Sequence, residues 1–217
     1  MGNFLTSSIG KKVIMSITGL FLILFLLVHL TANSAYLIGP DAFDSVVKFM
    51  GSPVVLVMVP ILTAGFIVHI IYAGYLTLTN MGARGSVRYA VSNRGRTDSW
   101  ASKNMFVLGV VIVGLLGLHL THFWAKMQLR ELTGGHPENG NLLLEQTFGN
   151  IWILLCYLVW FVAIWLHLTH GFWSAFQTVG LSSSKWLPRL KVLAYIFATA
   201  IMLGFCTIAI TAFLRAG

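Results

Sequence analysis

Five long apolar runs constrain this chain more than anything else in it. They span about Lys12–Ile38, Pro53–Asn80, Asn104–Met127, Phe148–Val179 and Val192–Phe213. A helix crossing a bilayer needs about 20 predominantly apolar residues, and each run supplies at least that. The expected architecture is an all-α membrane protein: one transmembrane domain over residues 1–217, with five helices in a bundle. Gly39-Pro40 ends the first run. Pro53 suits a first helical turn, while Pro60 lies inside the second run, where a kink is expected. The fourth run exceeds the necessary length, so its helix should tilt or protrude.

Composition excludes the soluble alternatives. Hydrophobic residues make up 57% of the chain and charged residues 9%, against about 25% charged in soluble proteins. The net charge of +8 raises the question of a nucleic-acid-binding face. Here, however, the charges sit beside apolar runs, as topology signals do. Lys11 and Lys12 precede the first run in a signal-like way. That run continues to about Leu30 without a small-x-small cleavage site, so it reads as a helix rather than a cleaved leader. Cys156 and Cys206 both lie inside apolar runs and read as buried thiols.

The links set the orientation. With the N-terminus inside, the inner segments hold ten of the 14 Lys and Arg residues: Lys11, Lys12, Arg84, Arg88, Arg94, Arg96, Lys103, Lys185, Arg189 and Lys191. The outer segments hold Lys48, Lys126, Arg130 and Arg215. The positive-inside rule then places the N-terminus in the cytoplasm. The link Asp41–Ser52 has a weak helical period suited to the membrane surface. Gln128–Thr147 reads as a polar loop with Gly-rich turns, in which His136 is an ordinary surface residue.

Within the spans, histidine is the anomaly. His29 lies in the first run, His69 in the second, His119 and His122 in the third, His167 and His170 in the fourth. Ionisable residues in hydrocarbon are costly and mark function. The topology sorts these six into an outer layer (His29, His119, His122) and an inner layer (His69, His167, His170), each drawn from two helices. A b-type haem needs two axial ligands about 4 Å apart across its iron, and neutral imidazoles from facing helices supply them. Spacing does not decide which member of each close pair is the ligand. Cys-x-x-Cys-His is absent, so covalent haem attachment is not indicated. A zinc or copper site would need three or more ligands in one layer, and the spans lack carboxylates. Interhelical hydrogen bonding in a haem-free bundle is the plainer alternative. Trp100, Trp124, Trp152, Trp173 and Trp186 fall near span ends and read as interface anchors. Ser16-x-x-Gly19 and Gly109, Gly114 and Gly117 have small-residue spacings that permit close helix packing.

Several segments carry a family resemblance. They are Val28-His29-Leu30 with Asn33; Asp41-Ala-Phe43-Asp44; His69-Ile-Ile-Tyr72-Ala-Gly74-Tyr75; His122-Phe-Trp124; and His167-Leu-Thr-His170-Gly171-Phe-Trp173. In this order the chain resembles, over nearly its whole length, the cytochrome b membrane-anchor subunit of bacterial succinate:quinone oxidoreductases (succinate dehydrogenase and fumarate reductase), of the five-helix dihaem type.

The resemblance implies two haem b groups. It places the axial ligands at His29 with His122 (outer haem) and His69 with His167 (inner haem), with His119 and His170 as second choices. It implies a flavoprotein subunit and an iron–sulfur subunit docked on the cytoplasmic side of the bacterial inner membrane. Electrons would pass from succinate to menaquinone, or in reverse in a fumarate reductase. Arg84 and Arg88 become candidates for haem propionate contacts, with Arg94 and Arg96 beside them. Relatives often carry an acidic residue near the start of the second helix. Here that stretch reads Met50-Gly51-Ser52-Pro53, so the quinone site, the proton path and any catalytic residue stay unassigned. Complexes of this family are dimers or trimers, and no residue here chooses between them.

Overall fold

Seven helices account for the regular structure of residues 7–84 and 100–217, which are those the computed structural model describes. They are α1 (Ser8–Ile38), α2 (Pro40–Met50), α3 (Pro53–Arg84), α4 (Trp100–Leu132), α5 (Gly140–Phe148), α6 (Ile151–Thr178) and α7 (Trp186–Ala216). Within α4, Leu120–Leu129 is wound as a π-helix. Five of the seven, α1, α3, α4, α6 and α7, are long and apolar enough to cross a membrane, as expected from the sequence. Below, the near end of the bundle is where α1 starts, and the far end is where it stops.

Capping explains where the observed helices depart from the predicted spans. Ser7 accepts a hydrogen bond from the Gly10 backbone N–H at 3.0 Å, so α1 starts ahead of the lysine pair. Lys11 then donates from within the helix to the Tyr75 hydroxyl at 3.0 Å. Asn150 accepts from the N–H groups of Trp152 and Ile153 and starts α6 later than predicted. This leaves Phe148 to α5. The polar loop expected at Gln128–Thr147 is therefore partly helix. Asn139 caps α5 by accepting from Leu142 N–H at 3.1 Å, and Leu143, Leu144 and Phe148 form its buried face. Its partner at the far end is α2, the surface helix anticipated in Asp41–Ser52. Asn141 donates to Asp44 at 2.8 Å, and a Cβ on Gly140 would lie only 2.9 Å from Val47. Only hydrogen in place of a side chain lets these two helices meet.

The tightest packing joins α6 to α7. Along α7, Ala194, Ala198, Ala209 and Ala212 are essentially inaccessible. They recur at helical spacing, so one face lets neighbouring backbones approach closely. A Cβ on Gly204 would come within 2.8 Å of Leu30, which brings α1 against the same helix. Trp160 ties α6 to α4 by donating its indole N–H to the Ile112 carbonyl at 3.2 Å. The far ends of α1 and α7 meet where Arg215 donates to the Tyr36 carbonyl at 3.0 Å and covers the Tyr36 ring. Tyr36 in turn donates its hydroxyl to Glu145 at 3.2 Å, which links α5. By contrast, α3 contains no buried residue among those described. Ser16 is buried and Gly19 packs against α3, whereas Gly109, Gly114 and Gly117 face open space.

The alanine face should be intolerant of bulk. Ala198→Leu is expected to lower stability by about 1–3 kcal/mol. Val192→Leu, at a position 60% exposed, should stay within about 0.5 kcal/mol of the parent. Thermal unfolding in detergent measures both.

Candidate functional site: two histidine clusters

At the far-end cluster, His29 of α1 meets His119 of α4 edge-on, with ring centroids 5.8 Å apart. Aromatic rings enclose both. Phe25 stacks on His29 at 5.3 Å, and Phe205 of α7 lies 5.7 Å away. His119 contacts Phe123 at 5.3 Å and Trp160 at 5.4 Å. The Nδ1 atom of His119 is buried and has no hydrogen-bond partner. His122 takes another direction. Its Nδ1 lies 3.2 Å from the Tyr157 hydroxyl, and the two rings are nearly parallel. The π-helical winding begins just after His119. His122 lies within this π-helical stretch, whose i→i+5 bonding winds the backbone more widely than an α-helix. The structure thus brings His29 to His119, while His122 is held by α6.

At the near-end cluster, His69 of α3 packs against α1. A Cβ on Gly19 would lie 3.4 Å from the imidazole Cε1, and Nδ1 is 3.2 Å from Thr18 Oγ1. Thr18 has one hydroxyl proton, which reaches the Ile14 and Met15 carbonyls. The contact between Thr18 and the His69 ring joins α1 to α3. His167 of α6 lies near His69 and His170. Its Nδ1 is buried without a hydrogen-bond partner. His170 stands edge-on to Trp173 at 4.8 Å. Across from these rings, Met105 of α4 reaches the Gly171 position.

The clusters are well separated. Thr18 and Gly19, which touch His69, lie ten or eleven residues before His29 on α1. At 1.5 Å rise per residue this is roughly 15 Å along the axis. Three histidines from α1 and α4 therefore form one layer, and three from α3 and α6 form the other.

Among the described residues, no group of three or more His, Cys, Asp or Glu side chains could hold a metal ion. A porphyrin brings four nitrogens of its own and asks the protein for two. What the clusters offer is histidine from two helices at each level, a buried Nδ1 without a hydrogen-bond partner on His119 and on His167, and Phe and Trp rings around the far-end pair. Arg88, Arg94 and Arg96, and the side chain of Arg84, lie outside the described residues, so the expected propionate contacts fall there too. His136 is exposed, and Trp100, Trp152 and Trp186 are exposed in the first turns of their helices. Sequence reading missed the roles of Tyr157, Thr18 and Trp160. A hydroxyl or indole at helical spacing within an apolar run was the available signal.

No protein-family model, curated protein or solved structure matches this chain.

The Thr18 contact can be tested directly. Thr18→Val leaves His69 Nδ1 without its hydroxyl partner and should cost about 1–3 kcal/mol, whereas Thr18→Ser keeps the hydroxyl and should cost less. Comparing the two unfolding midpoints in detergent checks this.

Proposed function

We propose that the protein is the membrane anchor and dihaem electron-transfer subunit of a succinate dehydrogenase, delivering electrons from an iron–sulfur partner to menaquinone. The observation that carries this reading is the sorting of six intramembrane histidines into two layers roughly 15 Å apart along α1, each drawn from two helices. The segment resemblance adds the succinate:quinone oxidoreductase assignment, the flavoprotein and iron–sulfur partners, and the bacterial inner membrane. The excess of Lys and Arg at the near end supports a cytoplasmic N-terminus. A fumarate reductase anchor shares all of these features and differs in physiological direction.

Haem b, when bound, supplies one-electron carriage at a potential set by its ligands and surroundings. The chain's own residues do the rest. His29 with His122, and His69 with His167, would hold one haem each. On α4, proximity to His29 favours His119, while the resemblance favours His122. Thr18 orients the His69 ring through its hydroxyl's contact with Nδ1. Phe25, Phe205, Phe123 and Trp160 surround the far-end histidines with apolar rings and exclude water from that layer. Arg84 and Arg88 are proposed to meet propionates.

A haem-free bundle has its own support, since Thr18–His69 and Tyr157–His122 are interhelical hydrogen bonds of the kind such a bundle uses. Reduced-minus-oxidised spectra of the purified protein separate the two readings. The expected result is a b-type α-band with two haems per chain. No such band, or a single haem, would sink the proposal. His29→Ala should remove one haem and His69→Ala the other. Gly19→Leu, which drives a side chain into the His69 ring, should remove only the near-end haem. Alanine replacement of His119 and His122, and of His167 and His170, one at a time, identifies the ligand in each pair.

A further inference from the structure

Charge is divided unequally between the two ends. Every acidic residue within the described residues (Asp41, Asp44, Glu131, Glu138 and Glu145) lies at the far end. There the cations find carboxylates: Glu138 lies 2.9 Å from Arg130 and 3.9 Å from Lys126. At the near end, Lys11, Lys12, Lys103, Lys185, Arg189 and Lys191 have no carboxylate among the described residues. Three of them are braced on aromatic rings instead. Lys11 Nζ stands 4.6 Å from the centre of Tyr75, Lys191 Nζ 4.7 Å from that of Trp173, and the Arg189 guanidinium 5.7 Å from that of Trp186. An aromatic face positions a cation without neutralising it, so these charges stay available to an outside anion.

One of them also heads an exposed apolar stripe. Pro188, Arg189, Val192, Leu193 and Ile196 lie on one open face of α7. Arg189 is its one charged member, and Lys185 lies a turn ahead. From Pro188 to Ile196 the stripe runs about 12 Å along the helix, within a segment apolar enough to span a membrane. We infer that this is a binding site for an anionic phospholipid, with its phosphate at Lys185 and Arg189 and an acyl chain along Val192, Leu193 and Ile196. Charge complementarity supplies the head of the site and the exposed apolar stripe its tail. An acidic soluble partner could meet the cations but has no use for the apolar stripe, which suits an acyl chain.

Native mass spectrometry of the protein released from nanodiscs of mixed phosphatidylglycerol and phosphatidylcholine tests this. Phosphatidylglycerol should be retained preferentially. Lys185→Gln combined with Arg189→Gln should weaken that retention roughly thirty-fold. Val192→Ser with Ile196→Ser should weaken it with the cations intact, and Lys126→Gln at the far end should leave it unchanged. Excess inorganic phosphate should not displace the lipid. Equal retention of both lipids, an unaltered preference in the Lys185/Arg189 variant, or displacement by phosphate alone would each overturn the assignment. So would retention of an acidic soluble protein that depends on this pair while phosphatidylglycerol retention does not.

Discussion

A neutral imidazole carries one donor and one acceptor nitrogen, and hydrocarbon offers a partner to neither. Six such rings inside four spanning helices set the terms for the rest of this structure. Two are partly satisfied by hydroxyls on neighbouring helices, His69 by Thr18 and His122 by Tyr157. Two others, His119 and His167, bury an Nδ1 with no partner. An unsatisfied buried polar atom costs about 1–3 kcal/mol, so a chain that keeps two of them must recover that cost in packing or through a bound group. The alanine face of α7, set against α6 and α1, is where packing is densest, and α6 carries the histidines of one layer directly on that support.

Much of this could be read from residue order. Runs of apolar residues longer than a bilayer is thick admit little besides helices, because only a helix satisfies its own backbone within one segment. The layering of the histidines followed from alternating direction alone: His29 past the middle of an outgoing helix must share a level with His119 and His122 on the next outgoing one. The helix α2 was legible as a weak helical period over Asp41–Ser52, although Pro40, read as the end of the first run, is its first residue.

Other features were hidden for physical reasons. The Gly140-Asn141 start of α5 looks like a turn, and only the contact with Val47 and Phe43 shows why glycine is there. The π-helical stretch Leu120–Leu129 leaves no mark in composition, yet it begins between His119 and His122 and contains only the second of them. Identical side chains three residues apart cannot be ranked by spacing, since the choice rests on which ring the neighbouring helices approach. The glycines of α4 had been expected to serve helix packing. Among the described residues, nothing lies within 4 Å of where a Cβ would stand on them, because small residues permit a close approach without requiring one.

The weakest attachment in the bundle bears on how such a site would work. With no buried residue among those described, α3 is held to α1 chiefly through its own histidine, through Phe21 against Gly65 and through Tyr75 at its end. A helix docked by so little apolar burial has a low local free energy of opening. A group held between His69 of α3 and His167 of α6 would bind only the docked arrangement, and would stabilise it by mass action. Under the proposed function, loading the near-end layer and seating α3 are therefore one equilibrium. The far-end layer lies between α1 and α4, with α6 and α7 already packed behind them, and owes much less of its geometry to being filled.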